Sequence, residues 1–149
     1  DGPSASPGIR LEMLRAALRG NSRLETEDLE LRRKGPSFTV ETLAAIAAEP
    51  RWRGAELVLM VGSDMLLDLP RWRRPDEILR IASLLAAERS GFDSRAAGPD
   101  VLARTVFLRS PRIDISSSGI RSRIAEGKSV RYRVPESVER IIQERGLYR

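Results

Sequence analysis

Short apolar runs alternate with helix-period segments along this chain, which predicts an α/β fold: a parallel sheet flanked by helices. Three observations carry that prediction. Residues 56–62, ELVLMVG, are an apolar run closed by glycine, as in a buried parallel strand whose carboxyl end opens on a ligand-facing loop. Residues 39–48 place their apolar side chains on one helical face, directly after the break Gly35-Pro36-Ser37. Further strands are expected at 82–87 and 105–109, with a helix at 76–81 before them and a loop at 90–99 between them.

The remaining elements follow from local chemistry. Residues 1–8, DGPSASPG, are turn-forming and read as the end of a loop rather than the start of a domain. Ile9, Met13, Leu14, Ala17 and Leu18 recur at helical spacing until Gly20-Asn21 closes the helix. Residues 23–31, RLETEDLEL, alternate in places and predict a polar edge strand. Ile113–Ser117 leads into a helix ending at Gly127, and Pro135 opens a final helix to about Arg145. No internal repeat or low-complexity tract interrupts this order.

Composition narrows the chemistry. The chain has 149 residues, the size of one domain with a core of its own, and no apolar stretch or leader of the kind a membrane span or signal peptide needs, so a cytoplasmic protein is expected. It has no cysteine and no histidine, which removes thiolates, disulfides, imidazole bases and the usual soft metal ligands; no protein-held metal site is expected. Hydroxyls, carboxylates, guanidinium groups and backbone amides remain. Residues 1–103 hold 15 basic against 16 acidic side chains, whereas residues 104–149 hold 11 against 5, so the positive field belongs to the last third. An anionic partner suits it, as does a plain solvated arginine-rich surface. Aromatic residues are only 5% and no nucleic-acid motif occurs, which disfavours nucleic acid as that partner.

The most informative segment is Ile115-Ser116-Ser117-Ser118-Gly119-Ile120-Arg121, at the start of a predicted helix. Unpaired backbone N–H groups, hydroxyl donors, a small glycine and an arginine returning to the same side would together hold a phosphate. The same residues also suit a serine-capped helix with an exposed arginine.

ISSSGIR resembles the ISSTxIR signature of the nucleotidyltransferases that make dinucleotide cofactors, with Ser118 in the usual threonine position. Further segments resemble bacterial nicotinate-nucleotide adenylyltransferases: GPSFTVETL (35–43) their PSYTxDTL, VGSDMLLDLPRW (61–72) their GxD…LxxW, Arg89-Ser90-Gly91 their RPG turn, and VRYRVPESVERIIQERGLY (130–148) their closing pattern. The resemblance runs from about Ile9 to Tyr148. It implies a Rossmann-like nucleotidyltransferase domain over residues 1–149 that transfers AMP from ATP to nicotinate mononucleotide, giving deamido-NAD and pyrophosphate, with Mg²⁺ arriving on the substrate. By the same resemblance Ser117, Ser118 and Arg121 hold ATP phosphates, and Gly62 and Asp64 line the dinucleotide cleft. Thr42, Trp72 and Arg89 take the nicotinate mononucleotide, with Trp72 stacking on the pyridine ring. Taken singly, Trp72 suits a core or interface position, Asp64 a helix cap, Thr39 and Thr42 ordinary N-cap and first-turn positions, and Arg89 the surface. A homo-oligomer is allowed but not specified.

One departure stands out. The family's GxFDPxHxGH-type motif, whose histidines polarise the ATP phosphates, has no counterpart here, and neither does the strand-helix unit around it. The chain is therefore expected to be amino-terminally incomplete, to expose sheet edges and apolar faces, and to be inactive alone. A non-catalytic nucleotide-binding protein of the same fold is the alternative.

Overall fold

A computed structural model describes residues 5–87, 97–108, 111 and 113–149. Its contacts divide the chain into two compact units, residues 33–112 and residues 1–32 with 113–149.

The unit of residues 33–112 carries the sheet. Strands β1 (Val58–Gly62), β2 (Ser83–Ala87) and β3 (Thr105–Leu108) lie in that order and pair in parallel. Met60 stands opposite Leu85, and Leu85 opposite Val106. The connections are helical, as parallel pairing requires. Helices α4 (Ser63–Asp68) and α5 (Pro75–Ile81) join β1 to β2, and α6 (Pro99–Ala103) precedes β3. Helix α3 (Thr39–Ala48), rich in alanine, leads the unit.

One face of the sheet holds the core. Leu84 and Ala86 of β2 are buried together with Val40 and Leu43 of α3, Leu66 of α4, Leu69, Ile78 of α5 and Val101 of α6. Valine and leucine three residues apart on α3 share one side of the helix, so their burial follows directly from the spacing. Ile78 is fully enclosed, and α5 begins with Pro75, Asp76 and Glu77, residues that suit a helix amino-terminus. On the opposite face Val58, Met60, Val106 and Leu108 are exposed. Such exposure is unusual for a parallel sheet, whose two faces are ordinarily covered.

The second unit contains α1 (Pro7–Leu18), α2 (Leu29–Arg32), α7 (Ser117–Ala125) and α8 (Glu136–Glu144). Helix α1 starts as the sequence asks, with Pro7 in its first turn and the Ser6 hydroxyl accepting from the Ile9 amide at 3.4 Å. Val138 and Ile142 of α8, four residues apart, are buried, and α8 packs on α1. The Ser137 hydroxyl donates to the Ala16 carbonyl at 3.0 Å, and Arg145 meets both carboxylate oxygens of Glu12 at 3.0 and 2.8 Å.

Residues 23–31 correct the expected edge strand. No strand forms there, and Leu29–Arg32 is a turn of helix. The acidic pair in the middle decides the outcome: Glu27 accepts the amides of Asp28 and Leu29 at 2.9 and 3.2 Å, and Asp28 holds Arg32 one turn later. Local side-chain bonds thereby replace the ladder a strand would need. Pro135, expected inside the final helix, takes its cap position instead, and α4 and α6 are additional short helices. Among the described residues no helix is long and apolar enough to cross a membrane.

Candidate functional site

The amino-terminus of α7 is the predicted serine turn. Ser116 is the cap residue, in extended backbone, and its hydroxyl accepts the Gly119 amide at 3.0 Å while lying 3.2 Å from the Ser118 hydroxyl. Ser117 and Ser118 form the first helical positions, and both are exposed, as is Arg121. Helix geometry brings residues 117, 118 and 121 to one side, because three- and four-residue spacings return to the same face. The turn therefore presents hydroxyls, amides and a guanidinium to solvent rather than to protein. That is the arrangement a phosphate requires, with the helix dipole adding to the attraction.

The carboxyl end of β1 carries the second group. Gly62 is the last residue of the strand and the cap of α4; Asp64 follows in the first turn. Gly62 takes the cap position of α4, so Asp64 stands in the first turn rather than at the cap. It is half-buried, and its Oδ1 is sealed from solvent and accepts no hydrogen bond, although the residue has a polar contact elsewhere. Trp72 follows a turn of 3₁₀ helix at Leu69–Arg71; it is half-buried and packs against the core cluster.

Helix α3 brings in Thr42. Its cap is Phe38, which supplies no side-chain hydrogen bond. Two arginines converge on the first turn of this helix instead. Arg33 donates through Nη1 to the Thr42 hydroxyl at 3.1 Å and through Nη2 to the Glu41 carbonyl at 3.0 Å. Arg73, next to Trp72 in sequence, lies 4.4 Å over the Phe38 ring and 3.8 Å from the Glu41 carboxylate. Thr42 and the Trp72 segment are thus neighbours. Arg89 lies outside the described residues.

Sequence comparison places these features among known proteins. Residues 2–123 match the cytidylyltransferase-like family. The chain is 40% identical over 145 residues to a probable nicotinate-nucleotide adenylyltransferase of Thermomicrobium roseum, covering 94% of this chain and 67% of that protein. The chain belongs to the nicotinate-nucleotide adenylyltransferase family. A Desulfitobacterium hafniense member with the same description is 38% identical over 97% of this chain and 72% of its own length; for a Geobacillus kaustophilus member the figures are 36%, 93% and 61%. The solved Plasmodium falciparum nicotinic acid mononucleotide adenylyltransferase complexed with APC has a TM-score of 0.74 over 97% of this chain and 76% of that one, at 16% identity, which supports the nucleotidyltransferase fold.

The serine cap that the sequence also allowed is made by Ser116, three residues before the amide it accepts, the standard cap spacing. One side chain of this adenylyltransferase-family chain escaped the sequence reading: Arg33, because a contact across nine residues and a glycine turn follows no period.

Proposed function

We propose that the chain binds ATP and nicotinate mononucleotide as the pair joined in NAD biosynthesis, its two units working as a single nucleotidyltransferase-like domain. In the reaction a phosphate oxygen of nicotinate mononucleotide forms a bond to the α-phosphorus of ATP while the bond from that phosphorus to the bridging oxygen breaks. Pyrophosphate leaves with Mg²⁺, which enters as part of the ATP substrate, and deamido-NAD remains. Such transfer depends mainly on positioning and on charge stabilisation.

The observation that carries this reading is the solvent-facing serine turn of α7 in a chain of this family. Ser117, Ser118 and Arg121 hold the ATP phosphates, Gly62 and Asp64 line the cleft, and Thr42, Trp72 and Arg89 receive the acceptor. The absence of cysteine fits a reducing, cytoplasmic setting. Nothing in this reading calls for nucleic acid, and a homo-oligomer is compatible with it.

Activity of these residues alone is a separate matter. With no histidine in the sequence, no imidazole polarises the triphosphate, so binding without turnover is the expected behaviour of this chain. Calorimetric titration with each ligand, followed by a pyrophosphate-release assay with both ligands and Mg²⁺, tests all of this. Saturable binding of both without pyrophosphate release is expected; failure to bind ATP overturns the ligand assignment, and pyrophosphate release overturns the inactivity.

A further inference from the structure

We propose that Arg73 is a specificity-determining residue on the acceptor side: its cation favours a carboxylate on the pyridine ring, the nicotinate form, over the neutral amide. The inference rests on the acceptor role given above to Trp72. Arg73 follows Trp72 directly, and its guanidinium reaches the start of α3, where it lies 4.4 Å over the Phe38 ring and 3.8 Å from the carboxylate of Glu41, the residue before Thr42. It thereby links the two stretches that carry the proposed acceptor contacts. Its side chain is half-exposed, so a ligand can reach it.

The turn that presents Arg73 is strained. Arg74 stands in the left-handed region, at φ +51° and ψ +60°, although it is not glycine and precedes Pro75, a neighbour that itself disfavours helical backbone values. Such a conformation persists only where surrounding contacts hold it, and here these are the 3.0 Å Arg74–Glu77 pair and the seat of Arg73 on Phe38. Glu41 holds the Arg73 guanidinium by attraction alone, because 3.8 Å is too long for a hydrogen bond. Among the described residues the N–H groups of Arg73 make no hydrogen bond, and their planar fork matches a carboxylate. The two mononucleotides share ribose and phosphate and differ only where one bears a carboxylate and the other an amide. A fixed cation beside the stacking tryptophan therefore separates them by charge.

The test measures the affinities of this chain for nicotinate and nicotinamide mononucleotide by calorimetry, unaltered and as Arg73→Ala, Arg73→Lys and Trp72→Ala. Arg73→Ala is expected to weaken nicotinate mononucleotide binding about tenfold, as for a half-exposed charge-assisted contact, and to leave nicotinamide mononucleotide within about twofold. Arg73→Lys keeps the charge without the fork and should lose only about threefold. Trp72→Ala should weaken both mononucleotides alike, since both carry the ring it stacks on. If Arg73→Ala fails to fold, Arg73→Gln, which leaves a neutral planar group beside Phe38, replaces it.

Equal losses of both mononucleotides in Arg73→Ala overturn the inference, because they mark a structural anchor of the turn or a contact to the shared phosphate. No loss for either overturns it as well, and so does an Arg73→Lys as weak as Arg73→Ala, since charge is then not what is read. In each of these cases a Trp72→Ala that weakens both ligands leaves the acceptor reading standing. An unmoved Trp72→Ala, or an unaltered chain that binds neither mononucleotide, removes the acceptor reading and the inference with it.

Discussion

The Ser116 hydroxyl accepts the Gly119 amide at 3.0 Å, and a Cβ built on Gly119 would stand only 3.1 Å from that same oxygen. Cap and glycine are therefore coupled. Ser116→Ala removes the cap bond and is expected to lower stability by about 1 kcal/mol. Gly119→Ala displaces the capping oxygen, yet alanine in a helix gains about 0.5–1 kcal/mol over glycine, so the two effects nearly offset. Urea unfolding checks both. A Gly119→Ala loss as large as that of Ser116→Ala would show that the hydroxyl has nowhere to move.

The ease with which α7 was read, compared with residues 23–31, marks what sequence can reveal. Helices α3, α5 and α8 and all three strands announce themselves because apolar spacing and turn residues agree there with burial. Helices α4 and α6, of six and five residues, are too short to display a period. The 23–31 segment failed because Glu27 and Asp28 satisfy nearby groups that an alternating pattern assumes are left for a neighbouring strand. At the site, a helix start rich in serine advertises its donors. The Arg33 fork depends on how Gly35 redirects the chain, which spacing does not encode.

Ligand discrimination offers a sharper test of the assigned roles. Arg121→Ala is expected to weaken ATP binding roughly tenfold to a hundredfold, the value of a charge-assisted contact, with little effect on nicotinate mononucleotide. Trp72→Ala should do the reverse, since stacking is its proposed contribution. Calorimetry with each ligand separates the two. Equal losses for both ligands in both variants would sink the division into a phosphate side and an acceptor side.

Core and exposed apolar residues of the sheet unit should respond very differently to truncation. Ile78 has no exposed surface, so Ile78→Ala leaves a cavity and is expected to cost about 2–5 kcal/mol. Met60 on the opposite face of the sheet is 64% exposed, and Met60→Ala should change stability by less than about 0.5 kcal/mol. Chemical denaturation of the two variants side by side decides it. A large loss at Met60 would mean that this face is covered in solution.

Among the described residues, Glu126 has a carboxyl whose titration is displaced in a clear direction. It caps the carboxyl end of α7, where negative charge meets the negative end of the helix dipole, yet its carboxyl is held below the ordinary carboxylate value. The Lys128 ammonium is the cause, first through its hydrogen bond to the carboxylate and then through its charge, with Arg123 adding a smaller pull. Because the folded-state value is depressed, the pair's contribution to stability is complete above the ordinary carboxylate value and is lost as pH falls through the folded one. The group is fully exposed, so the effect belongs to titration rather than to any large change in stability. Carbon-13 NMR of the Glu126 carboxyl should show a midpoint that rises in Lys128→Ala and also rises with added salt. An unchanged midpoint in Lys128→Ala would assign the depression to another group.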